Sequence, residues 1–97
     1  MALKIVWTKQ AAKGYAKIIY YIETEWTAKE LAAFEQEMIT FFDLLRTHPE
    51  ILQASSKQKN YRRGPINEYT MLTYRIKPRK KQIEIINIRG TKQKPLK

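Results

Sequence analysis

The groups in this chain that can act on another molecule are concentrated in its second half. Residues 57–97 hold thirteen Lys and Arg against Glu68 and Glu84, a net of +11. Residues 1–56 hold six against seven acids, a net of −1, which leaves +10 overall. These are groups for anions: the planar guanidinium fork of Arg holds two oxygens of a phosphate or carboxylate at once, and Lys supplies a point charge. A charge of this size repels itself unless an anionic partner or counterions offset it. The partners it implies are nucleic acid, an acidic protein segment, or both. Other chemistries are thinly supplied. With no Cys there are no disulfides, thiolate metal sites or thiol nucleophiles. The one His, His48, does not make a zinc site or a histidine pair, so neither a metal nor another cofactor is expected.

The elements that must position these groups are legible in part. Ninety-seven residues fit one domain, 1–97, and 43% apolar content with eleven aromatic residues supports a packed core. Ala2–Trp7 suits an opening strand. Thr8 can cap a helix whose apolar face is Ala11, Tyr15, Ile18, Ile19, Ile22 and Trp26. Gly14 inside it costs up to about 1 kcal/mol relative to Ala, which a close packing contact would explain. Thr27 and Glu30 have capping-box spacing for a second helix, with Leu31, Phe34, Met38, Phe41, Phe42 and Leu45 as its stripe and Pro49 as its stop. So short a link predicts an antiparallel helix hairpin.

After it, Gln53–Asn60 reads as a polar loop. Asn60–Arg63 reads as a short strand stopped by Gly64-Pro65, and Glu68–Ile76 and Gln82–Arg89 as two longer strands joined by the basic turn Lys77–Lys81. Gly90–Lys97 is a polar tail. The order β-α-α-β-β-β predicts an α+β fold: an N-terminal strand and an antiparallel helix hairpin packed on one face of a small antiparallel sheet. The other sheet face stays free and carries the basic strands. The longest apolar run, Ile18–Ile22, is far below the roughly 20 residues that span a bilayer. With no signal peptide visible, a cytoplasmic protein without a membrane partner is expected.

Several pieces carry a family likeness: the element order, Trp26-Thr27 between the helices, the stop at Pro49, Tyr61-Arg62-Arg63, Tyr69, Tyr74-Arg75-Ile76 and Ile83–Ile88. The tail Gly90-Thr91-Lys92-Gln93-Lys94-Pro95 is similar to a D-T-R-Q-x-P ending, with Gly for Asp and Lys for Arg. Over nearly its whole length the sequence resembles the RelE/ParE superfamily of type II toxin–antitoxin toxins, and is closer to the ParE-like, plasmid-stabilisation branch. The resemblance implies a cognate antitoxin with an acidic C-terminal segment. It implies one of two targets: DNA gyrase for ParE-like members, or the ribosome and its mRNA for RelE-like ones. A homodimer and a toxin–antitoxin hetero-oligomer are both left open. A non-toxic basic domain that binds nucleic acid by charge alone is a further alternative.

RNA cleavage in this superfamily uses the 2′-hydroxyl as nucleophile, without a metal, and needs cations on the phosphate plus groups to move two protons. Lys57, Lys59, Arg62, Arg63, Arg75 and Arg89 lie where RelE-like members carry basic catalytic residues. RelE-like nucleases often have a Tyr or His near the C-terminus, whereas after Arg89 this chain has neither, only Gly90, Thr91, Lys92, Gln93, Lys94, Pro95, Leu96 and Lys97. Tyr61 substitutes only if it shares the cleft. The resemblance therefore points to a binding protein rather than an enzyme, with Arg62, Arg63, Arg75, Arg89 and Lys92 meeting the target or antitoxin. Plainer roles stand beside these: solvated charges at Lys57, Lys59 and Lys77–Lys81, an Arg75–Glu84 pair across the hairpin, a helix-terminal His48, and packed rather than base-stacking Tyr61, Tyr69 and Tyr74.

Overall fold

The computed structural model describes residues 3–67 and 70–90. The elements in chain order are β1 (Lys4–Trp7), α1 (Lys9–Glu25), α2 (Ala28–Thr47), β2 (Gln53–Ala54), β3 (Tyr61–Asn67), β4 (Thr70–Lys77) and β5 (Gln82–Gly90). The strands form one sheet in the order β1-β5-β4-β3-β2. It is the expected α+β arrangement, with a helix hairpin over one sheet face.

Both helices start where their caps predict. The Thr8 hydroxyl accepts from the Ala11 N–H at 3.1 Å and donates to the Ile85 carbonyl at 2.8 Å, so one residue caps α1 and fixes it to β5. Thr27 and Glu30 complete the capping box: the Thr27 hydroxyl accepts from the Glu30 N–H at 3.1 Å, and the Glu30 carboxylate accepts from the Thr27 N–H at 2.8 Å. Thr27→Ala is expected to lower stability by about 1 kcal/mol, a drop in melting temperature of roughly 4–8 °C for a domain this size, read by thermal unfolding. Only Trp26 and Thr27 separate the helices, and Tyr15 stacks on Phe34 with ring centroids 6.4 Å apart, as an antiparallel hairpin requires.

The core lies between the hairpin and the sheet. Ala11, Ile18 and Ile22 of α1 and Phe34, Met38 and Leu45 of α2 are buried with Leu72 and Tyr74 of β4 and Ile83, Ile85 and Ile88 of β5. Gly14 meets the sheet at its closest point. A β-carbon there would run into the Ile88 carbonyl oxygen and sit 3.2 Å from the carbonyl carbon. This is the close contact that the helix-interior glycine implied.

Three features of the sheet differ from the sequence reading. Strand β1 pairs parallel to β5, Ile5 opposite Ile83, rather than joining an all-antiparallel sheet. Its partner lies nearly eighty residues away, so no local turn signals the pairing. Gln53 and Ala54 form a short edge strand against Arg63 and Arg62 inside what reads as a loop. Strand β3 passes through Gly64-Pro65 instead of stopping there. The Ile76 N–H donates to the Asn60 carbonyl, making 60 and 76 a hydrogen-bonded pair, and the antiparallel alternation then places Pro65 opposite Met71 at a non-bonded position. The missing N–H of Pro65 points away from β4 and removes no ladder bond.

Candidate binding face on the open side of the sheet

Strand alternation decides which side chains reach the open face, the one that no described element covers. On β4, Leu72 and Tyr74 turn to the core, while Met71, Thr73 and Arg75 turn outward. Opposite them on β3 stand Arg63 against Thr73 and Tyr61 against Arg75. On β5 strict alternation would send Asn87 and Arg89 into the core, because Ile83 and Ile85 already face it. A register shift prevents this: Tyr74 pairs with Ile85 and Thr73 with Asn87, leaving Ile86 as an extra residue. The bulge reverses the phase, so Ile88 is buried and Asn87 and Arg89 face outward.

The proposed site residues therefore separate into groups. Arg63, Arg75 and Arg89 share the open face and are exposed. Arg75 does not pair with Glu84 although their Cα atoms are partners; its guanidinium stands 5.8 Å from the centroid of the Tyr61 ring, and Lys77 takes Glu84 at 3.4 Å. Tyr61 is thus on the same face as the arginines. Arg62 is not. It lies on the helix side, where its Nη1 donates to the Leu52 carbonyl at 2.7 Å and the Glu50 carbonyl at 3.2 Å. Lys57 and Lys59 sit on an exposed turn, where the Ser55 hydroxyl accepts from the N–H groups of Lys57 and Gln58. Lys92, Tyr69 and the tail motif beyond Gly90 lie outside the described residues. His48 caps the C-terminus of α2.

Tyr74 is fully buried, so it packs rather than offering a stacking surface. Its hydroxyl donates to the Pro49 carbonyl at 2.5 Å and accepts from the Leu52 N–H at 3.4 Å. Burial pushes its phenol pKa upward; the Leu52 hydrogen bond and the Arg62 charge pull the other way. Together Tyr74 and Arg62 fasten the segment that leaves α2. Arg62→Ala is expected to lower stability by about 1.5 kcal/mol, through lost charge-assisted hydrogen bonds. Arg63→Ala is expected to stay within about 0.5 kcal/mol, as for an exposed side chain without such contacts. Paired urea unfolding curves of the two variants check the contrast.

Thr73 and Asn87 are the functional candidates that sequence reasoning missed. The doubled isoleucine in Ile83-Glu84-Ile85-Ile86-Asn87-Ile88 was the available signal: the apolar phase changes in mid-strand. A concavity of about 720 Å³ lies between α1 and the end of β5. Its floor includes Ile18, Ile22 and Ile88, and Lys13, Lys17 and Arg89 also line it. Among the described residues no three His, Asp or Glu side chains gather as a metal site, and no helix is long and apolar enough to cross a membrane.

A helix hairpin laid on one face of such a sheet is the architecture of solved RelBE and ParDE structures. A toxin of the chromosomal ParDE system of P. aeruginosa superposes with a TM-score of 0.72 at 16% identity, covering 94% of this chain and 98% of that one. The RelBE2 toxin–antitoxin complex of Mycobacterium tuberculosis gives 0.62 at 16% identity over 93% and 99%. A metal-bound toxin from Helicobacter pylori gives 0.63 at 14% identity over 92% and 94%. No curated protein matches the sequence. The model of the ParE toxin of the type II toxin–antitoxin system parDE matches residues 5–95. The chain belongs to the ParE toxin family of type II toxin–antitoxin systems.

Proposed function

We propose that this toxin arrests growth by binding a gyrase-type topoisomerase, as the ParE-like resemblance implies, and that it acts in the cytoplasm as one domain. The match to the ParE family over residues 5–95 carries this reading. The placement of the basic residues supports binding over catalysis. Arg62 is held by loop carbonyls on the helix side, away from Arg63, Arg75 and Arg89 on the open face. Those three, with Lys92, are the target-binding residues in this reading. A cognate antitoxin with an acidic C-terminal segment keeps the toxin silent. The groove between α1 and β5 suits such a segment, because its apolar floor is flanked by Lys13, Lys17 and Arg89.

One observation favours a second reading, a metal-independent mRNA endoribonuclease. Tyr61 lies beneath Arg75 on the open face, where a phenol can take part in proton transfer beside cations. Controlled expression with parallel readouts of the DNA-damage response and of mRNA integrity separates the two. The gyrase reading expects a damage response with intact mRNA. Cleaved mRNA without damage signalling would transfer the activity to the ribosome.

A further inference from the structure

The Ile86 bulge creates a pocket of about 260 Å³ on the open face, lined by Arg63, Met71, Thr73, Asn87 and Arg89. We infer that this pocket seats one nucleotide of single-stranded DNA, with its phosphate between Arg63 and Arg89 and its base against Met71, Thr73 and Asn87. The inference rests on the open face being the target-binding surface, and it adds that the face meets a strand of the DNA held by the topoisomerase as well as the topoisomerase itself.

Four observations support it. First, Arg63 and Arg89 stand on strands either side of β4. Standard strand spacing puts their Cα atoms about 12 Å apart, within the combined reach of two arginine side chains. Second, the floor between them joins the apolar Met71 to the neutral polar Thr73 and Asn87 and carries no charge. Thr73 brings a hydroxyl and Asn87 an amide with both donors and an acceptor, which suits a base edge better than a second anion. Third, among the described residues none of Arg63, Thr73, Asn87 and Arg89 is engaged in a side-chain hydrogen bond or ion pair. Fourth, the bulge is local and directed: it turns Asn87 and Arg89 outward while keeping Ile88 in the core, as bulges beside functional sites do. A single strand fits better than a duplex. The concavity lies within a sheet face and takes an unpaired base, which a duplex does not present.

The test is binding of the full-length toxin to a labelled oligothymidylate of roughly 12 nucleotides across a salt series. Arg89→Ala is expected to lower the slope of log affinity against log salt by about 0.7, one phosphate contact on a single strand. Asn87→Ala and Thr73→Val are expected to weaken binding about fivefold each at every salt concentration, with the slope unchanged, as for a lost neutral hydrogen bond. Asn87→Asp, nearly isosteric, is expected to weaken it further by placing a negative charge beside the phosphate. Lys80→Ala, on the turn after β4, serves as the charge control. The inference is overturned if the Thr73 and Asn87 variants bind like wild type while Lys80→Ala weakens binding as much as Arg89→Ala, which is adhesion by charge alone. A tenfold preference for oligouridylate overturns it in favour of RNA. The gyrase assay is read separately. Wild-type toxin that leaves supercoiling untouched yet shows this variant pattern defeats the gyrase reading and keeps the site. Toxin that inhibits gyrase but binds DNA by charge alone does the reverse.

Discussion

Gly14→Ala is expected to destabilise the protein by about 3 kcal/mol, at the upper end of the effect of over-packing a core. The sign is informative because helix propensity predicts the opposite: Ala in a helix interior is favoured over Gly by up to about 1 kcal/mol. Packing wins because the obstacle is backbone. The new β-carbon meets the Ile88 carbonyl, which cannot rotate aside as a side chain does. Helix α1 must lift from β5 or the strand must shift. Either movement disturbs the stretch that presents Asn87 and Arg89. Against a total stability of about 5–15 kcal/mol the loss is a large fraction, and urea unfolding followed by circular dichroism reads it directly. A variant as stable as wild type would mean that α1 and β5 are less closely packed than described.

The second large effect is at Tyr74. Tyr74→Ala is expected to cost about 3–5 kcal/mol, because it empties a fully buried aromatic site. Tyr74→Phe keeps the ring and isolates the hydroxyl, at about 1–3 kcal/mol for the Pro49 carbonyl and Leu52 N–H left unpaired. The same hydroxyl predicts a pH dependence. Burial raises its pKa above the ordinary phenol value of 10.0, so the folded state favours the neutral phenol. Its contribution is therefore fully present below pH 10 and is lost as pH rises from there through the raised folded value. Tyr15, raised by burial and by Glu35, adds in the same direction. Stability measured from pH 8 upward is expected to fall more steeply in wild type than in Tyr74→Phe.

Local chemistry was legible in the sequence, and long-range pairing was not. Thr8, the Thr27–Glu30 box and Pro49 mark both helices, because caps and stops act within a few residues. Gly14 announced a close approach but not its partner, since Ile88 is distant in sequence. The parallel β1–β5 pairing and the two-residue β2 leave no turn or periodic signature. Pro65 misled for a definable reason: it breaks a strand only where its N–H is needed, and register decides that. The candidate site was half visible. Arg63, Arg75 and Arg89 were singled out by charge, and they share a face. Arg62, next in sequence to Arg63, was grouped with them because sequence does not show strand facing; alternation turns it to the helix side. Thr73 and Asn87 escaped notice because neutral polar residues acquire meaning only after the Ile86 bulge sets their direction.

The central claim is that the open basic face of this ParE-family toxin meets a gyrase-type target. The most direct measurement is DNA supercoiling by purified gyrase with the full-length toxin at saturating concentration, wild type beside an Arg63→Glu/Arg89→Glu double variant of verified fold. The account predicts that wild type inhibits supercoiling and that the double variant does not, since two like charges then face the target. Supercoiling untouched by wild type, or inhibited equally by both proteins, would contradict it.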